Sequence, residues 1–344
     1  MKIGLIPVIV LCLADAALTQ SLSENWARCE SGANDELSVK ACTALIQLPA
    51  KESKQDIAAL FYNRGAKYSS RSQYDLAIRD FDEAIRLKPD YAEALGKRGL
   101  AYARREQHDR AIQDFDEAIR LKADDADAFS HRGLTYANKG QYERAIPDYD
   151  QAIRLRPDDA NHFRGRGLTY AMSGQYERAI RDYDQAIQLK PDDARSFTSR
   201  GEANFYLARW PEAAADLQRS FSLDPLQPYV MLWMHIAKKR NGGDDAQEFS
   251  RQVARADPSQ WPAPIERLFL GLSSPDQVLA AAANADAQTQ KEQRCEAAFY
   301  LGEYAILQQR MPDALSLLQQ ARETCPKTFV EYEGAVSELK RLGR

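Results

Sequence analysis

Only four histidines, five cysteines and four tryptophans are spread over 344 residues. No Cys-x-x-Cys pair, no histidine cluster and no phosphate-cradling glycine loop occurs among them. A cysteine–histidine zinc site, a thioredoxin-like redox centre and a P-loop nucleotide site are therefore excluded, and no cofactor or metal is expected. Charge of one sign is missing too: 46 Lys+Arg stand against 50 Asp+Glu, a formal balance of −4, with the basic residues scattered. That is not the footprint of a nucleic-acid binder. Apart from the first residues the chain has no long apolar run, so a membrane span is not expected. What it does have is 44% hydrophobic residues, enough to build a core.

Lys2, the eleven apolar residues Ile3 to Leu13 and the small-residue exit Ala14-Asp15-Ala16 have the build of a secretory signal peptide over residues 1–16. As a helix that run rises about 16 Å, half a bilayer core. The expected location is the periplasm or the exterior, an uncleaved N-terminal anchor being the alternative. Cys12 follows Leu11 rather than a small residue, so no lipoprotein box is seen. Cleavage leaves Cys29, Cys42, Cys295 and Cys325, an even number that suggests disulfides with three possible pairings. The nearest-neighbour scheme, Cys29–Cys42 and Cys295–Cys325, is the one expected.

The middle of the chain repeats itself. Asn63-Arg64-Gly65, Lys97-Arg98-Gly99, His131-Arg132-Gly133, Gly165-Arg166-Gly167 and Ser199-Arg200-Gly201 follow one another at steps of 34 residues. Twelve residues after each glycine comes Ala77, Ala111, Ala145, Ala179 or Ala213, and sixteen after comes Phe81, Phe115, Tyr149, Tyr183 or Leu217. Pro89, Pro157, Pro191 and Pro225 close four of the units, and Ala123 takes that place in the other. Within a unit the apolar residues fall at helical spacing, as in Ala111, Ile112, Phe115, Ala118 and Ile119. Each unit reads as two helices of about 14 residues. One such unit cannot bury its own apolar face, so the units must stack.

This pattern resembles the tetratricopeptide repeat (TPR), with five units over 58–227. The resemblance implies an all-α TPR solenoid, a right-handed superhelix of helix hairpins. Arg64, Arg98, Arg132, Arg166 and Arg200 form one row, and Asp80, Asp114, Asp148, Asp182 and Asp216 another. They are expected to pair between helices; an anion-binding arginine stripe is the alternative.

In TPR proteins the first helix of each unit lines the concave face, and ligands touch the second, fifth, ninth, twelfth and thirteenth positions. Carried over, these include Leu100 and Arg104, then Ser130, Leu134 and Asn138, then Arg164, Leu168 and Met172, and finally Arg195, Phe205 and Tyr206. The leucines would form an apolar row extended by Met172, Phe205 and Tyr206 and flanked by polar groups. Such a groove suits an extended peptide or a partner helix.

The ends leave the period. Residues 17–57 are expected to form a helical cap around Gly32, pinned by Cys29–Cys42. A divergent helical segment spans 228–294. At 295 the offsets return through Gly302, Ala314, Leu318 and Ala321, so 295–344 reads as a sixth TPR-like hairpin plus a closing helix over Val330 to Leu342. The segments at Trp261-Pro262, Phe269-Leu270-Gly271, Phe299 to Tyr304 and Phe329 to Tyr332 follow each other as in the NlpI-type TPR lipoproteins of bacterial envelopes. That resemblance covers roughly 224–342 and implies an adaptor that docks periplasmic proteases or peptidoglycan hydrolases. The departures are the missing lipid-anchoring cysteine, the disulfides and a longer array.

The whole reads as an exported, non-enzymatic scaffold with protein or peptide partners, among them an envelope protease, a cell-wall hydrolase or a second copy of the chain. A periplasmic holding chaperone for extended exported chains is the rival reading.

Overall fold

The computed structural model describes residues 22–31, 36–48, 53–225, 227–255, 257–258, 260–283 and 286–344. The leader over 1–16, with Cys12, and Gly32 lie outside the described residues. Every regular element among the described residues is an α-helix. No helix among them is long and apolar enough to cross a membrane. The chain divides into two compact units, the first through Pro157 and the second from Asp158.

The first unit opens with α1 (22–30) and α2 (Glu36–Ile46), joined by the Cys29–Cys42 disulfide with Cα atoms 4.9 Å apart. Trp26, Leu45 and the two cysteines pack on Leu60 of the following helix, and Lys67 Nζ donates to the Ser31 carbonyl at 2.7 Å. Three helix pairs follow: α3 (Lys54–Ser70) with α4 (Tyr74–Leu87), α5 (Ala92–Arg104) with α6 (His108–Leu121), and α7 (Ala126–Asn138) with α8 (Tyr142–Leu155). The first helix of the array begins earlier than the period implies because Ser53 and Asp56 form a reciprocal capping box. The core of each pair is the expected set. Ala77, Phe81 and Ala84 are buried on α4, Ala111, Phe115 and Ala118 on α6, and Ala145, Tyr149 and Ala152 on α8.

The second helices stop at Leu87, Leu121 and Leu155, two residues before Pro89, Ala123 and Pro157. The helix that lacks the proline ends at the same place as the others. Lys122 leaves helical geometry at φ −139°, and the Asp125 side chain caps the next helix by accepting from the amides of Asp127 and Ala128. Proline is therefore not required for the stop in that unit.

The second unit continues the pattern with α9 (Ala160–Met172) and α10 (Tyr176–Leu189), then α11 (Ala194–Tyr206) and α12 (Trp210–Leu223). Close approach explains its glycines: a Cβ on Gly167 would lie 2.7 Å from the Tyr183 ring. Beyond come α13 (Pro228–Arg240), α14 (Ala246–Val253), α15 (Ala263–Phe269), α16 (Pro275–Ala282), α17 (Ala287–Leu307), α18 (Met311–Thr324) and α19 (Val330–Arg341). Gly302 of α17 meets Leu318 of α18 as the repeat glycines meet their partners, 2.9 Å from a built Cβ. Yet α17 starts eight residues before Cys295, because Asp286 caps it through the amides of Gln288 and Thr289 and no breaker intervenes. Cys295 and Cys325 are bonded, with Cα atoms 4.9 Å apart. The largest core of the molecule gathers here around Trp233, with Phe205 4.4 Å and Phe299 5.2 Å away between ring centroids.

Candidate functional site

In the first unit α3, α5 and α7 present the fifth, second and ninth repeat positions to a common open cavity of about 240 Å³. Gly96 makes its floor, and a Cβ placed there would meet nothing within 4 Å. Tyr62 stands on one side, His131 on the other, and Leu100 lies half-buried between them. The rim is charged and partly paired: Lys122 Nζ lies 3.6 Å from Glu93 Oε1 and Arg156 Nη2 lies 2.9 Å from Asp127 Oδ2, and Lys97, Asp124 and Asp125 line it as well. Burial lowers the His131 imidazole below its ordinary value, so the ring that stacks on Phe115 is neutral at neutral pH. Burial, and after it the charge of Glu93, raises the Tyr62 phenol. The cavity offers an apolar floor, neutral ring walls and a rim carrying both signs of charge. That arrangement takes a side chain of an extended polypeptide and reads its backbone or flanking charges.

The remaining first-unit positions differ in exposure. Leu134 is 37% exposed rather than packed beneath its neighbour, Arg104 and Asn138 are exposed, and Ser130 is half-buried. In the second unit Leu168 is 38% exposed and Met172 half-buried. Arg164 Nε and Arg195 Nε lie 3.6 and 3.8 Å from the two oxygens of Asp193.

Phe205 and Tyr206 do not extend an open row; they are core residues, 1% and 8% exposed. Phe205 is wedged edge-on between Trp210 and Trp233, and Tyr206 donates its hydroxyl to the Val330 carbonyl at 3.1 Å. Arg341 Nη2 reaches both of their backbone carbonyls at 3.5 and 3.3 Å. The closing helix α19 thus covers the wall that these two aromatics were expected to offer a ligand. The signal was present in the sequence: the twelfth and thirteenth positions are an aromatic pair here, where other units carry Ala103-Arg104, Ala137-Asn138 or Ala171-Met172.

The arginine row is fully committed to structure. Each guanidinium grips an aspartate sixteen residues on with both oxygens, as Arg64 Nε and Nη2 do with Asp80 at 2.8 and 2.7 Å. Arg132 holds Asp148 and Asp116, Arg166 holds Asp182, and Arg200 holds Asp216 and Asp184. No anion-binding stripe is left over.

A group that periodicity did not single out lies in the second unit. Glu296 Oε2 accepts from Tyr229 Oη at 2.8 Å and from Trp261 Nε1 at 2.7 Å, while Tyr300 Oη donates to Glu331 Oε1 at 3.0 Å. Burial raises both carboxyls, Glu331 to about 7. These residues fall within or beside the segments that set 224–342 apart from the repeats.

Family models agree with this geometry. A tetratricopeptide repeat model matches residues 133–196, and a TPR repeat model matches 65–106 and 99–140. Among solved structures, that of PilW, a widely conserved type IV pilus biogenesis factor, superposes with a TM-score of 0.53 at 18% identity, over 58% of this chain and 91% of its own. MamA (41-end) from Desulfovibrio magneticus RS-1 is 25% identical over 52% of this chain and 99% of its own, with a TM-score of 0.46. YrrB, described as a TPR protein with an unusual peptide-binding site, is 21% identical over 58% and 97%, with a TM-score of 0.43. The likeness to PilW is one of fold alone. Residues 65–196 are tetratricopeptide repeats, and the chain that carries them is an all-α repeat protein of the TPR fold.

Proposed function

We propose that the protein is a non-enzymatic scaffold that holds a partner polypeptide against the inner helices of its first unit. The reading rests on the cavity over Gly96, which is open, apolar at its floor and continuous in position with the repeat sites expected to meet a ligand. A TPR fold supports protein partners, and the exposed Leu134 gives a second apolar anchor one repeat further along the unit. Two disulfides support an oxidising compartment and hence the bacterial cell envelope. There the protein acts as an NlpI-like adaptor, docking a periplasmic protease or a peptidoglycan hydrolase.

The test is capture from envelope extract by the mature protein, compared with Leu134→Arg and with Gly96→Trp. The expected result is one or two folded partners at fixed stoichiometry, lost in both variants while helicity is kept. Equal capture by the variants contradicts the groove. Weak capture of many unrelated extended chains turns the reading to a holding chaperone instead.

A further inference from the structure

The fifth repeat position is Tyr62, Gly96, Ser130, Arg164 and Thr198 in the five units, so the second unit alone leaves that place without a side chain. The space above Gly96 lies between two rings, Tyr62 of α3 and His131 of α7. Each ring is held by others. Tyr62 lies 5.1 Å from Tyr91 and 6.0 Å from Phe81 between ring centroids. His131 stacks on Phe115 at 5.9 Å, with 23° between the planes. Neither wall therefore needs ordering by a ligand. An apolar cavity of about 150 Å³ admits benzene. At about 240 Å³ this open one has room for a phenol or an indole.

The charges around the slot divide by side. On the segment from α6 to α7 and just after α8 most are engaged: Lys122 with Glu93, Arg156 with Asp127, and Asp125 with the amides of Asp127 and Ala128. Asp124 there is exposed. Along α5 the open charges are both positive. Lys97 lines the cavity, Arg104 stands at the end of the same helix, and the charges of both reach His131. Both are exposed, and neither has an ion pair or hydrogen bond among the described residues. Eight residues separate Gly96 from Arg104, about 12 Å along a helix, which an extended chain covers in about four residues.

Resting on the groove reading above, we propose that the slot over Gly96 selects an aromatic side chain, so that the occupant is an extended acidic segment anchored by one Phe, Tyr or Trp. The ring takes the place that a fifth-position side chain fills in the other units and lies edge-on or offset against Tyr62 and His131. A carboxylate within about four residues of it meets Lys97 or Arg104. An aliphatic side chain would fill the slot with less contact to either wall. A lysine or arginine would be buried where every nearby acid except Asp124 is already engaged.

The experiment is selection of a random dodecapeptide library on the full chain with its disulfides intact, followed by fluorescence anisotropy of the recovered peptides. The expected result is a shared aromatic residue with Asp or Glu within about four positions of it. Replacing that aromatic by Ala is expected to weaken binding about tenfold or more, and by Leu about threefold. Replacing the acid by its amide is expected to weaken it about threefold. Gly96→Leu, whose side chain enters the slot from an open Cβ position, is expected to bind the aromatic peptide no better than its Ala form. Peptides that share no aromatic, that carry Lys or Arg in its place, or that have no acid near it overturn the proposal. So does an aromatic preference that persists in Gly96→Leu. If such peptides still lose affinity for Leu134→Arg, the groove itself stands, whereas recovery of no peptide overturns both. The preferences of the native sequence decide by themselves if Gly96→Leu does not fold.

Discussion

Arg98 donates two parallel hydrogen bonds to Asp114 in its own repeat, at 2.8 and 2.7 Å, and a third to Asp82 of the repeat before, at 2.6 Å. One side chain therefore fixes both the hairpin and its register on the preceding hairpin. Asp114 is buried at 6% exposure, so removing its partner strands a charge. Arg98→Ala is expected to cost about 3 kcal/mol, and Arg98→Lys, which keeps the charge but loses the planar fork, about 1–2 kcal/mol. Urea denaturation of the three proteins checks the order.

Two helical glycines should respond to alanine with opposite sign. At Gly167 the new methyl meets Tyr183, and Gly167→Ala should lose about 1–3 kcal/mol. At Gly96 it meets nothing, and Gly96→Ala should gain about 0.5–1 kcal/mol through helix propensity. Thermal melts of the pair separate close packing from an open floor.

The turn between the paired helices needs a left-handed residue. Gly140 and Gly174 supply it with φ of 70° and 73°, whereas Glu106 and Ala208 adopt φ of 58° and 57° in the equivalent turns. Ala208→Gly and Glu106→Gly should each stabilise by about 1 kcal/mol, and Gly140→Ala should destabilise by a similar amount.

Glu266 is 1% exposed, and neither of its carboxyl oxygens has a hydrogen-bond partner. Burial alone pushes it up from 4.5 to about 7. The folded state thus holds a proton that the unfolded state releases, and stability is greatest below the ordinary value and falls as pH rises toward 7. Between pH 5 and pH 8 the native sequence should lose about 2–3 kcal/mol more than Glu266→Gln does, by denaturant titration at each pH.

The two cystines close loops with separations of 13 and 30 residues. By loop-closure entropy Cys29→Ser/Cys42→Ser should cost about 3 kcal/mol and Cys295→Ser/Cys325→Ser about 3.5 kcal/mol. Thiol titration of protein lacking residues 1–16 should find no free sulfhydryl.

The repeats were legible in the sequence because each position is set by contacts that recur every 34 residues, glycine against ring and arginine against aspartate. Capping side chains at Ser53 and Asp286 moved two helix starts, since caps act locally and ignore the period. The aromatic pair Phe205-Tyr206 marked a departure from the other units, but what covers it was not legible, because that helix comes more than 120 residues later in the chain. Nor was the acid and tyrosine group at Tyr229, Glu296, Tyr300 and Glu331, which three separate helices assemble. Periodicity reports neighbours along a repeat and is silent about a tail folding back.

Photo-crosslinking tests the central claim most directly. A crosslinker replaces Leu134 on the inner helix α7 in one preparation and the exposed Gln113 on α6 in another, each then exposed to envelope extract. A partner captured from position 134 and not from position 113 is the predicted result. Capture from position 113 alone, or equally from both, would contradict the account.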